Sequence, residues 1–230
     1  MKLKFISVIF ALLFSSHLLA TDAYFRNLKE DHKVPSHCQD TKIEHFSNTT
    51  IDVFTLGLEG STSRGFTFAY DLNREQAGFL WDVFKYNNHN SRRLQERLKR
   101  EPNLKASYEI LRANDDLRNF DFHNEGAILE LLALEWLQVK LNQRYGHGKY
   151  FVHGSIEYHY PGRRTMGELD LLIARTDNCK VVGFGESKLG YGGIGKAREQ
   201  LRRFQGFIGD LRGNTEFEPI DMLEPHFLYH

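Results

Sequence analysis

The stretch GELDLLIARTDNCKVVGFGESKLG, residues 167–190, constrains this chain more than any other. It alternates like two β-strands joined by a polar turn at Asp177 and Asn178, yet the strands carry Glu168, Asp170, Glu186 and Lys188. Period-two alternation sets Leu169, Leu171 and Ile173 on one side of the first strand, with Glu168, Asp170 and Leu172 on the other. In the second strand Val182, Phe184, Glu186 and Lys188 share a face. Asp170 then falls opposite Gly185 or Glu186, and cross-strand neighbours sit about 4.5–5.5 Å apart at Cβ. Two carboxylates at that range repel, and burying isolated charges costs several kcal/mol. A divalent cation resolves the conflict, because Mg²⁺ is held by one or two carboxylates and keeps its other positions for water and phosphate oxygens. A lysine beside it can orient or deprotonate an attacking water. Such a group is suited to cutting phosphodiesters. The competing reading is the wet face of an antiparallel sheet, with Glu186 and Lys188 as a solvent-facing pair.

The elements around the hairpin follow from periodicity. HNEGAILELLALEWLQVKLNQRYG predicts a helix from His123 to about Arg144, ending at Gly146, with Leu129, Leu132, Ala133, Trp136, Leu137 and Leu141 as its apolar stripe. FVHGSIEYHY (151–160) reads as one strand, PGRRTMG as a turn, GYGGIG (190–195) as a loop, and 196–213 as a second helix. From 123 onward the expected order is helix, three strands, helix. Upstream, IDVFTLGL reads as a strand and residues 71–120 as helices broken near Pro102. Between Arg92 and Lys105 six basic side chains face two acidic ones, a pattern that suits a solvated helix face or a phosphate-binding one.

The N-terminus begins MKLK and continues as FISVIFALLFSSHLLA, the pattern of a secretory signal peptide over residues 1–20. The run is too short and too interrupted for a comfortable membrane span, so no stable membrane anchor is expected and the chain reads as exported, periplasmic or secreted. Two cysteines, Cys38 and Cys179, fit either one disulfide or two free thiols in that setting. No Cys/His cluster suggests a structural zinc site. Lys plus Arg and Asp plus Glu are 30 each, so net charge alone names no polyanionic partner.

Taken together, GELDLL (167–172), ESK (186–188) and GAILE (126–130), in the order helix, acidic strand, E-x-K strand, resemble the PD-(D/E)xK nuclease superfamily. Within it the chain is similar to Holliday-junction-resolvase-like and exonuclease-like members. QLRRF (200–204) resembles the Q-L-x-x-Y motif of the exonuclease-like relatives, with Phe204 in place of the tyrosine. The family's proline before the first acid is replaced by Leu169. The resemblance covers residues 123 to 210 and implies an α/β restriction-endonuclease-like core, a central mixed sheet flanked by helices, over 121–213. Residues 21–120 would be a mostly helical N-terminal extension and 214–230 a tail. It further implies Mg²⁺, with Mn²⁺ as the alternative ion. Asp170 and Glu186 would bind it directly, the Ser187 carbonyl would be a ligand, and Glu130 would assist. Lys188 would be the catalytic lysine and Gln200 would position substrate or lysine. The expected function is an exported metal-dependent nuclease acting on DNA, with RNA as the alternative substrate. The competing expectation is a non-catalytic nucleic-acid-binding or protein-interaction module on the same fold.

Other candidates are weaker. Glu125 sits where an acid simply favours a helix N-terminus. Glu135 lies off the face of Glu130, while Glu157 and Glu168 are strand-borne acids near the group. His153 and His159 flank the middle strand, with surface exposure as the default.

Overall fold

In a computed structural model the described residues are 25–26, 34–39, 45–46, 52–57, 67–68, 72–113, 126–160, 162–189 and 192–212. The expected signal peptide and the tail from 214 lie outside them, as does Glu125. No helix among the described residues is long and apolar enough to cross a membrane. The elements are β1 (Phe25–Arg26), β2 (Asp52–Gly57), β3 (Thr67–Phe68), α1 (Arg74–Lys85), α2 (Arg92–Arg100), α3 (Pro102–Ala113) and α4 (Gly126–Tyr145), followed by β4 (Tyr150–His153), β5 (Ile156–Tyr158), β6 (Gly167–Leu169), β7 (Leu171–Arg175), β8 (Val181–Lys188) and α5 (Gly193–Arg212).

The class is mixed α/β, as expected, and a mixed sheet lies between helices. Five strands run in the order β3-β2-β8-β7-β4, and a separate antiparallel sheet runs β1-β5-β6. β2 is parallel to β3 and β8, whereas β7 is antiparallel to β8 and β4. On one face Leu56, Val152, Leu171 and Ile173 pack with α1–α4; on the other Val53, Phe151, Leu172, Ala174, Val181 and Phe184 pack with Leu201, Phe204, Phe207 and Ile208 of α5. Both faces being covered explains why the strands read as near-continuous apolar runs.

Local chemistry sets the helix ends. Asn73 and Gln76 form a reciprocal capping box at α1, at 2.9 and 3.0 Å, and the Ser91 hydroxyl accepts from the Leu94 N–H at α2. α4 stops where Gly146 turns to φ +89°. Burial on α4 extends beyond the expected stripe to Ala127, Ile128 and Leu131, as befits a helix between the sheet and α1–α3. Gln138 locks it to β4, donating to the Tyr150 carbonyl and accepting from the Val152 N–H, each at 3.1 Å.

Four local expectations need correction. The strand expected over 151–160 is two strands, because Ser155, at φ +52°, turns the chain from the large sheet into the small one. The first arm of the hairpin also breaks, at Asp170: β6 pairs with β5, and β7 with β8. Leu169 therefore joins the α5-side core, opposite Leu171 and Ile173. In β8 a register shift opposite Ile173 and Ala174 reverses the alternation, so Val182 packs on the α4 side and Phe184 on the α5 side. Finally, the GYGGIG stretch is not all loop, since Gly193 already opens α5.

Segment 21–120 does supply the three expected helices, α1–α3, and the expected strand β2. β2 lies beside β8 in register from Asp52 opposite Gly183 to Gly57 opposite Lys188. Cys38 and Cys179 form a disulfide across 141 residues of sequence, tying the turn at Ser36–Cys38 to the β7–β8 connection. Constraining so long a loop in the unfolded chain corresponds to about 5 kcal/mol in the chain-entropy model.

Candidate active site

The break at Asp170 places its side chain where two sheets part. Asp170 is 8 % exposed, and its Oδ2 accepts from the Ser187 N–H at 2.9 Å and from Lys188 Nζ at 2.7 Å. Lys188 Nζ also donates to Glu186 Oε2 at 2.5 Å. One ammonium therefore bridges two carboxylates, and Glu186 has no exposure at all. The other oxygen of Glu186, Oε1, is buried without a hydrogen-bond partner. The expected wet strand face is thus absent at Glu186 and Asp170: both acids are inside.

Electrostatics follow from that burial. Desolvation, then the Asp170 charge, pushes the Glu186 carboxyl far above the usual carboxylate range, and Lys188 only partly offsets this. Burial works against the Lys188 ammonium, but Asp170 and Glu186 outweigh it and hold the amine above its ordinary value. Glu130, reaching the group from α4, is pushed up to about 7 by burial and then by Asp170, with Lys188 opposing and Glu168 adding. Partial burial raises Glu168, a hydrogen bond with Ser155 opposes this, and Asp170 and Glu157 add to the rise. Five charged side chains therefore share one field at the junction of β6, β7, β8 and α4.

The sequence-derived set is partly assembled. Asp170, Glu186, Ser187 and Lys188 are in direct contact through the hydrogen bonds above. Glu130 couples to them electrostatically and makes no hydrogen bond with them. Gln200, on α5, has a buried Oε1 with no partner and no hydrogen bond to the cluster. Glu157 accepts from the Thr165 hydroxyl at 3.1 Å. His153 and His159, expected at the surface, are both buried. The Gly154 N–H donates to His153 Nδ1 at 2.7 Å, and His159 Nδ1 lies 3.1 Å from the Tyr160 carbonyl. The basic run on α2 is not simply a solvated face either: Arg97 is buried, pairs with Glu75 and Glu101, and lies 4.3 Å over the Phe79 ring. Sequence reasoning missed Thr55, buried on β2 directly opposite Glu186. No periodicity in residues 52–57 announces which strand they will join.

The ligand atoms gathered at Lys188 are carboxylate oxygens, from Asp170 and Glu186, which suits a hard cation. The unpartnered Glu186 Oε1 is the atom such an ion would satisfy. Among the described residues only His37, Cys38 and Cys179 bring three metal-type atoms within 4.8 Å, and both of those sulfurs are committed to the disulfide. Glu130, Asp170 and Glu186 are less tightly gathered than that. An ion here would be held by two carboxylates and water, with Glu130 at longer range. No family model matches the chain, and neither a curated protein nor a solved structure matches it.

Proposed function

We propose that the chain is an exported, metal-dependent nuclease that hydrolyses phosphodiester bonds of DNA, on a restriction-endonuclease-like core. The observation that carries this reading is the buried Asp170–Lys188–Glu186 bridge with its unpartnered Glu186 oxygen. An orphaned buried carboxylate oxygen costs stability unless an ion, or a proton shared with Asp170, satisfies it. Mg²⁺, with Mn²⁺ as substitute, would be held by Asp170, Glu186 and the Ser187 carbonyl, and supplies charge to the phosphate and acidity to its water.

The chain's own groups do the rest. Asp170 is oriented by the Ser187 N–H, so its carboxylate is fixed before substrate arrives. Lys188 is held as an ammonium, so it orients the attacking water and offsets charge on the phosphoryl oxygens rather than accepting a proton. Glu130, with its carboxyl near 7, is suited to exchange a proton with the site at neutral pH. In hydrolysis the water oxygen bonds to phosphorus, one P–O ester bond breaks, and the departing oxygen takes up a proton. Exposed Lys196, Arg198 and Arg202 on α5 are placed on the helix that follows the E-x-K strand and suit backbone phosphates.

The decisive test is cleavage of linear and circular DNA by the purified oxidised protein under a Mg²⁺ titration, beside Asp170→Ala and Lys188→Ala. Unchanged cleavage in both variants would remove the assignment. A second reading has one observation behind it: Lys188 already bridges both acids, as in a purely structural ion cluster. Salt-sensitive DNA binding in EDTA, with no cleavage at any Mg²⁺ concentration, would favour that non-catalytic module.

A further inference from the structure

Lys188 is pinned at two points. Its backbone lies on β8 opposite Gly57 of β2, and its Nζ sits between Asp170 and Glu186. The stem between them runs directly beneath the first residue of α5. A Cβ added to Gly193 would lie 2.9 Å from Lys188 Cβ, 3.2 Å from Cγ and 3.5 Å from Cδ. Carbon atoms pack at about 3.5–4.0 Å, so the first two distances leave no room. The clash is with the root of the lysine side chain, which cannot swing aside as its tip could. By contrast, a Cβ at Gly192 or Gly195 would meet nothing within 4 Å. Of these three neighbouring glycines, only Gly193 is closed off.

We propose that Gly193 is a positioning residue for Lys188: its missing side chain lets the start of α5 close over the lysine stem and fix the ammonium between the two carboxylates. This gives a role to the glycine-rich stretch that the motif resemblance leaves unused. α5 cannot retreat easily from an added methyl group, because Leu201, Phe204, Phe207 and Ile208 anchor it in the core. The end of β8 that carries the Lys188 Cβ must shift instead, and it takes the ammonium with it. Its consequence for cleavage rests on the nuclease reading above, whereas the close packing does not.

The test compares Gly193→Ala with Gly195→Ala in the full-length oxidised protein. Alanine is the better helix former, so both substitutions carry the same intrinsic benefit and only the first carries the clash. Trace acetylation followed by peptide mass spectrometry reports access to the Lys188 amine. Lys188 should label at least about 5-fold faster in Gly193→Ala and at the wild-type rate in Gly195→Ala, on the reasoning that burial in a clasp limits access. With Mg²⁺ and linear DNA, kcat should fall about 10–100-fold in Gly193→Ala with KM nearly unchanged, the signature of a misplaced catalytic group.

Equal labelling in the two variants overturns the proposal. If labelling separates them while even wild-type protein cuts no DNA, the positioning role stands and the nuclease reading falls. Should Gly193→Ala unfold, a Lys188→Gly background removes the opposing Cβ. Gly193→Ala must then be tolerated, and intolerance there overturns the proposal as well.

Discussion

Two ion clusters in this molecule have the same charges and opposite states. At Arg97 one cation lies between Glu75 and Glu101; at Lys188 one cation lies between Asp170 and Glu186. The Arg97 guanidinium donates twice to each acid, at 2.6–2.9 Å, and Gln76 adds a hydrogen bond to Glu101. Hydrogen bonding from Arg97 draws Glu101 down to about 2, against the opposing effect of burial. At the second cluster Lys188 is a point charge that cannot chelate two carboxylates face-on, and burial drives Glu186 upward instead. One cluster has four hydrogen bonds from its cation and ties α1 to α2; the other leaves Glu186 Oε1 without a partner. On the nuclease reading proposed above, that oxygen is where an ion would bind.

The contrast can be broken from either side. The largest effect is expected at Lys188. Lys188→Ala should reduce DNA cleavage by about 10²–10⁴-fold, measured as kcat on linear duplex at saturating Mg²⁺. Arg97→Ala should leave kcat of the folded fraction intact. It should instead cost about 2–3 kcal/mol of stability in urea unfolding, less than a fully buried pair because the Glu75 side chain is 64 % exposed.

Metal should sharpen the difference. At a hundredfold excess over its Kd, Mg²⁺ should stabilise the wild-type chain by about 2.7 kcal/mol, read as a rise in Tm. The rise should vanish in Asp170→Asn and persist in Arg97→Ala. The smallest effect is in the pH dependence of the metal-free protein, where the two clusters have opposite signs. Folded Glu101 lies below its unfolded value, so its contribution is full above about 4.5 and is lost as pH falls toward 2. Folded Glu130 lies above its unfolded value, so stability rises as pH falls from about 7 toward 4.5. Each limb should be about 1 kcal/mol in urea titrations, after allowance for solvent screening. Glu130→Gln should shrink the upper limb, which the raised Glu186 carboxyl also feeds, and Arg97→Ala should remove only the lower one.

The charged cluster was more legible than the architecture. Asp170, Glu186 and Lys188 stand out because charges inside apolar strands are costly, and the structure does bury them around one ammonium. α4 was legible because its apolar spacing is long and regular. The breaks at Ser155 and Asp170 were not, since both interrupt apolar alternation without a proline, and the two sheets they separate are each locally strand-like. The seat of β2 depends on pairing with residues far downstream, which no local pattern encodes. The choice between free thiols and a disulfide also required the fold, which brings the Cα atoms of Cys38 and Cys179 to 5.3 Å. Arg97 was misread because a basic run looks the same in sequence whether or not one of its members turns inward.

The placement of β2 beside β8 has a consequence in time as well as in space. The strand bearing Glu186 and Lys188 is completed by pairing with a segment near the other end of the chain, Asp52 meeting Gly183. Contacts of such long sequence separation are slow to form, because the chain must search a large loop before they reward it. A ribosome-bound chain that has not yet emitted β8 has no such site at all. Asp170 and Glu186 can meet across the local β7–β8 hairpin, but the outer edge of β8 is covered only when β2 arrives from far upstream in the chain.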